Sequence, residues 1–219
     1  MLNTKASLKW KIAQTLEYKW WQNYLKNKDT EEYISWKCLY WNKLLQAISE
    51  YTDTPLEEKY IMDAGCGPAG VFMVLKGNFV TAIDPLLDKY KTLKHFNPEK
   101  CTWVDFRNIA IEALTDENKY DYIFCLNAIN HVNDIECCYD NLVKALKPNG
   151  YLIVSTDAHR SNILKKIFQI IPGDVLHPVQ LNLSEYNEQL TRRGLTIVKD
   201  ILYKREAIFD YYITIAQKQ

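Results

Sequence analysis

From residue 59 the chain settles into one alternation, a short apolar run followed by a longer segment of helical or turn pattern. The runs read YIMD, FVTAID, CTWVDF, YDYIFCL and GYLIVST, each about as long as a mean strand. Strands separated by segments of that length are joined by crossovers, so the pattern predicts a doubly wound α/β fold with a mostly parallel sheet. The last two runs, LTIVKDILYK and YYITIAQKQ, stand only a few residues apart. That gap is too short for a helical crossover, and the two are expected to pair antiparallel. Asp134 is placed to cap a helix ending near Lys147, where Pro148, Asn149 and Gly150 turn into the fifth strand. Ser184 is placed to open a helix that closes at Gly194. No repeat or low-complexity tract interrupts this stretch, and residues 53–219 read as one domain.

Residues 1–52 read as a separate helical cap. Leu8, Ile12, Leu16, Trp20 and Tyr24 recur at four-residue steps, an apolar stripe on a first helix. Asp29, with Glu32 three residues on, marks the start of a second helix whose stripe runs Ile34, Cys38, Trp41, Leu45, Ile48. Residues 1–28 hold six lysines and a single acid, Glu17. A basic aromatic helix of this kind suits a membrane surface or a nucleic acid. The plainer expectation is a lid, with the stripe over a ligand cleft, the lysines in water, and Trp20, Trp21 or Trp41 lining an acceptor pocket.

Composition narrows the partners. Across 219 residues, 27 basic side chains balance 27 acidic ones, which argues against a dedicated nucleic-acid binder and for a small-molecule partner. The oligomeric state is left open. Six cysteines show no CxxC pairing, as expected of reduced thiols in a cytoplasmic protein. The opening MLNTKASLKWK lacks the charged-then-apolar pattern of a leader, and no apolar stretch reaches the roughly 18 residues of a membrane span.

The first strand ends in DAGCGPAG. Gly65, Gly67 and Gly70 fit G-x-G-x-x-G, and Asp84 closes the second strand where a carboxylate meets a ribose diol. Taken alone, this also describes an NAD site. Asp63 favours a different ligand, because a carboxylate beside the turn would repel a pyrophosphate. At 4 Å, two like charges cost about 4 kcal/mol at an effective dielectric near 20. A cationic ligand such as S-adenosylmethionine (SAM) would be attracted there, while the glycines let the main chain come close.

IMDAGCGPAG, VTAIDP, YDYIFCLNAINHV and LKPNGYLIV together resemble the motifs of class I SAM-dependent methyltransferases, in order, from residue 58 to about 217. The resemblance implies seven strands in the order 3-2-1-4-5-7-6, the last antiparallel. It implies that Asp63, Gly65, Cys66 and Gly67 form the methionine end of the cofactor site, that Asp84 holds the ribose hydroxyls, and that Pro85 and Leu86 flank the adenine. The main chain near Leu126 and Asn127 would complete the amino-group site. Where the family places Asp or Asn to receive the adenine amino group, AIEAL has Ala110. That contact falls to the main chain at Ile111, with Asn108 or Glu112 as alternatives.

Methyl transfer needs in-line placement of the acceptor, and a base only where the acceptor has a proton to lose. His131, just past the fourth strand, is the first candidate base, and His177 a second. Asn130 and His159 join Trp20 and Trp21 as candidate acceptor-pocket residues. No residues are assigned to a metal. Expected function is methylation of a small molecule at oxygen, nitrogen or carbon. An RNA methyltransferase, an NAD-dependent oxidoreductase and a noncatalytic SAM-binding protein stand as alternatives.

Overall fold

The computed structural model describes residues 8–52, 55–159, 181–205 and 209–219. Two helices, α1 (Leu8–Leu25) and α2 (Thr30–Ser49), precede strands β1 (Tyr60–Ala64), β2 (Phe79–Ile83), β3 (Val104–Arg107) and β4 (Tyr120–Cys125). A short α3 (Leu87–Tyr90) follows β2, and α4 (Ile135–Ala145) follows β4. β5 (Leu146–His159), α5 (Leu183–Thr191), β6 (Leu195–Arg205) and β7 (Phe209–Lys218) complete the order. The sheet runs β3-β2-β1-β4-β5-β7-β6, with β7 antiparallel to both neighbours and the other pairings parallel. This is the predicted topology. The turn at Lys147–Gly150 is a bulge inside the β4–β5 ladder, where Tyr120 pairs with Leu146 but Tyr122 with Tyr151.

Successive strand residues face opposite sides of the sheet, and each side buries its own core. Ile61, Val80, Tyr122, Phe124 and Ile153 face one side. Met62, Ile83, Ile123, Cys125 and Leu152 face the other, under Tyr139 and Leu142 of α4. The first side is covered unusually. Between β1 and β2 the chain makes only a single 3-10 turn, Val71–Val74, so the crossover supplies little apolar surface. Helix α2 fills the gap with Trp41, Leu44 and Ile48, in the same core as Phe72, Val80 and Ile153. The Trp41 indole N–H donates to the Ala69 carbonyl at 2.9 Å, fixing α2 to the loop after β1.

Local capping agrees with the sequence in two places and corrects it in a third. Asp29 accepts the amides of Glu31 and Glu32 at 2.9 and 3.0 Å, and Asp134 accepts that of Cys137 at 3.1 Å. Helix α5 starts at Asn182, not Ser184. Asn182 accepts from the Glu185 amide at 3.0 Å while the Glu185 carboxylate accepts from the Asn182 amide at 2.8 Å, a reciprocal pair that Ser184 cannot form. Among the described residues no helix is long and apolar enough to cross a membrane.

The expected inward stripe of α1 faces out over its middle, while Tyr24 at its end packs inward. Ile12, Leu16 and Trp20 are 48%, 40% and 48% exposed, whereas Ala13, Gln14 and Leu25 are buried. The reason lies in what α1 covers. It crosses the mouth of a cleft, not a continuous sheet face, and the positions turned inward are Trp10, Gln14, Glu17 and Trp21, one helical face by spacing.

Candidate functional site

The cleft opens at the carboxyl ends of β1, β2 and β4, where open α/β sheets bind ligands. Its floor is main chain. Gly65 and Gly67 have φ of 73° and 57°, which disfavours other residues at both; Gly65 is also crowded, since a Cβ there would stand 2.3 Å from the Ala128 Cβ, whereas one on Gly67 would only touch the Trp21 ring at 3.6 Å. Gly65 and Cys66 donate their amides to the Ile83 carbonyl at 2.8 and 3.0 Å, tying the turn to the end of β2. The lining combines Gly65, Cys66, Gly67, Asp84, Pro85, Ala110, Ile111, Leu126, Asn127 and Ala128 with residues of the helical hairpin. Leu86 is instead packed in the core.

Asp84 holds the turn together. Its carboxylate accepts from the Gly67 amide at 3.0 Å and the Leu86 amide at 2.8 Å. Burial still pushes it up to about 6, against the pull of those two amides. Each oxygen keeps a lone pair for a further donor, so a ribose diol fits here. Asp63 stands further back than the sequence implied. It is 2% exposed, absent from the cavity wall, and accepts the Phe72 amide at 3.0 Å. Its position explains Gly70, where a Cβ would fall 2.3 Å from the Asp63 Oδ2. Burial raises Asp63 to about 7. Its charge is felt on the cleft wall by Lys37, and it feels in turn the Asp84 carboxylate.

Asn127, at φ 54°, donates its amide to Ser155 Oγ at 2.8 Å, and Ser155 in turn receives the Tyr211 hydroxyl at 2.7 Å. The loop after β4 is thereby tied to β5 and β7. Ala110 and Ile111 line the cleft as expected; the Ile111 carbonyl already accepts from Asn141 at 3.0 Å. Glu112 also lines it, but its Oε1 accepts the Asn133 and Asp134 amides at 2.8 and 3.2 Å. Asn108 lies off the wall and accepts from the Asp88 amide at 3.4 Å.

A second chamber of about 390 Å³ adjoins the cleft, lined by Glu17, Trp20, Trp21, Tyr24, Tyr33, Lys37, Asn127 and His131. Its walls are aromatic, with Trp20 stacked on Tyr24 at 4.8 Å between ring centroids. The Tyr33 hydroxyl is buried with no hydrogen-bond partner among the described residues, which marks a place for a polar ligand atom. Lys37 lies 4.6 Å from the Trp41 ring centroid, and burial lowers it to about 8 despite the Asp63 charge. Glu17 is raised to about 7 by burial and then by Asp84, while the Trp21 indole opposes the shift.

His131, Trp20 and Trp21 are thus brought to the chamber. Asn130 is not: the 3-10 turn Ile129–His131 buries it at 4% exposure away from both walls. His159 pairs through its main chain with Phe209, but its side chain lies outside the described residues, as does His177. Sequence reasoning missed Gln14, Glu17, Tyr24, Tyr33 and Lys37. The available signal was Glu17, the single acid in the lysine-rich first segment.

Comparison with known proteins bears on the same strands. A methyltransferase domain family matches residues 62–154. The ubiquinone biosynthesis O-methyltransferase of Rickettsia prowazekii is 30% identical over 185 residues, covering 75% of this chain and 72% of that one. Its Rickettsia bellii counterpart is 32% identical over 148 residues, covering 65% of this chain, which spans only 59% of that relative's length. The Burkholderia thailandensis 1,6-didemethyltoxoflavin-N1-methyltransferase, solved with 1,6-didemethyltoxoflavin and S-adenosylhomocysteine, is 18% identical. It superposes with a TM-score of 0.65 over 100% of this chain and 93% of that one, a likeness of fold. The matched segment carries the glycine turn, Asp84 and Asn127 alike, and the chain belongs to the class I SAM-dependent methyltransferases.

Proposed function

We propose that the chain moves the methyl group of SAM onto a hydroxyl oxygen of a small aromatic acceptor, releasing S-adenosylhomocysteine. One observation carries this reading: Glu17, Trp21, Lys37, Asn127 and His131 line both the cleft and the aromatic chamber, so a group passing between the two crosses that shared wall. Support for oxygen comes from the Rickettsia relatives, which are named O-methyltransferases. Support for a flat acceptor comes from the ring-lined chamber, whose volume of about 390 Å³ suits one or two rings. Family membership selects SAM over NAD. The six free cysteines support a reducing compartment such as the cytoplasm.

Bound SAM supplies an electrophilic methyl group on a positively charged sulfur. This chain's residues do the positioning. Asp84 would receive the ribose hydroxyls, Pro85 and Ile111 would flank the adenine, and the main chain of Gly65–Gly67 and Leu126 would meet the methionine part. Lys37, the lysine on that wall, would meet a carboxylate. Trp20, Trp21 and Tyr24 exclude water and hold a ring in place. Correct alignment alone can account for several kcal/mol of the barrier.

Calorimetry with S-adenosylhomocysteine and NAD tests the cofactor half. Wild type should bind the first and ignore the second, and Asp84→Ala should weaken binding at least tenfold, as expected for losing about 1.5 kcal/mol or more of charge-assisted hydrogen bonding. A panel of phenols, anilines and aliphatic amines with methyl-labelled SAM tests the acceptor half. Label should enter phenols; turnover confined to amines would overturn the oxygen assignment.

A further inference from the structure

On the reading that the acceptor is a hydroxyl compound seated in the aromatic chamber, we propose that Glu17 of α1 is the catalytic base: its carboxylate takes the acceptor's hydroxyl proton as the oxygen takes the methyl group. The oxygen–carbon bond forms, the carbon–sulfur bond breaks with its electrons going to sulfur, and the proton ends on Glu17. No other reactant is needed.

Position and elimination carry the assignment. Three carboxylates lie on the two cavity walls, Asp84, Glu112 and Glu17. Asp84 accepts two main-chain amides and Glu112 accepts two at the start of α4. Both are committed to shaping loops, and neither borders the chamber. Glu17 borders both cavities, and its hydrogen-bonding neighbours are side chains of its own helix, Gln14 at 3.4 Å and Trp21. It is therefore the carboxylate with acceptor capacity facing the place where the methyl group is handed over. Its surroundings also tune it. Asp84 at the end of β2 and the Tyr90 phenol of α3 face it from the sheet side, while Lys37 of α2 and His131 beyond β4 share its wall. Burial and Asp84 raise it to about 7, near the point at which a base is half-ionised at neutral pH. The face of α1 agrees: in a segment otherwise basic, the single acid points into the protein.

The test uses the full-length protein and a phenol found by the acceptor panel. In wild type, kcat/KM should rise through about pH 7 as Glu17 ionises. Glu17→Gln should bind S-adenosylhomocysteine within about twofold of wild type, yet lose about a hundredfold in kcat/KM, together with that limb of the pH profile. A dinitrophenol acceptor, already ionised at neutral pH, should show little difference in rate between Glu17→Gln and wild type. Glu17→Asp, which keeps the carboxylate, should retain the limb and serves as the second variant if the glutamine protein folds poorly. His131→Asn should keep the limb. If phenols turn over in wild type but Glu17→Gln retains full rate, or if the limb disappears in His131→Asn instead, the assignment to Glu17 is overturned while the proposed reaction stands. If no hydroxyl acceptor turns over in wild type, the proposed reaction itself fails.

Discussion

Helices α1 and α2 form one hairpin from similarly aromatic sequence, yet they do different work. Helix α2 buries Tyr33, Trp41, Leu44 and Ile48, and takes the place of a missing crossover helix over β1 and β2. Helix α1 leaves Ile12 and Leu16 largely in solvent and turns Gln14, Glu17 and Trp21 toward the cleft, with Trp20 half-exposed at the chamber rim. Helix α2 belongs to the core and also lends Tyr33, Lys37 and Trp41 to the cavity walls, whereas α1 mainly closes over the cavities. An apolar stripe therefore shows that a helix has two faces; it does not show which face meets the protein. A helix laid over a ligand cavity is selected for its polar and aromatic inner face, and its outer face is free to be apolar.

Three substitutions sharpen or break this contrast, beginning with the largest effect. Trp41→Ala removes a buried indole and leaves the Ala69 carbonyl without its donor, so it should cost about 3–5 kcal/mol in denaturant unfolding. A loss under about 1 kcal/mol would mean that α2 is not part of the core. Trp21→Ala, on the site side of α1, should cost about 1 kcal/mol of stability, but it should weaken S-adenosylhomocysteine binding by about tenfold in calorimetry, since its ring lies against Gly67. Leu16→Ser should do least. With Leu16 facing solvent, the unfolding free energy should stay within about 0.5 kcal/mol of wild type and turnover should not change. A melting point lowered as far as by Trp41→Ala would show that the stripe is covered after all.

The sheet was legible because its signals are local. Strand length, the gap before β7 too short for a crossover, and glycines at positive φ are each imposed by the backbone. The floor of the cleft was legible for the same reason, since it is made largely of main chain. The chamber wall is made of side chains brought in by a hairpin, and which residues face it depends on how α1 and α2 are rotated about their axes. Those rotations are set by tertiary packing, so Glu17 on α1 and Tyr33 and Lys37 on α2 carried no motif. Asp63 lies behind the cavity wall, on the Phe72 amide, a placement the sequence did not show because a strand-end acid reads the same whether it meets a ligand or caps the next turn. Asn182 could have been found: Glu185 three residues on is the sign of a reciprocal cap, and Ser184 has no such partner.

The hydroxyl chain from Tyr211 through Ser155 to the Asn127 amide has a consequence for biosynthesis. Every family motif has left the ribosome well before the final strand, Phe209–Lys218, is translated. Until that strand inserts between β5 and β6, the nascent chain lacks the phenol that steadies Ser155, and the loop bearing Asn127 is only partly anchored. Competence to hold the cofactor should thus wait on β7, and a ribosome-stalled chain short of Tyr211 should display the motifs without the binding.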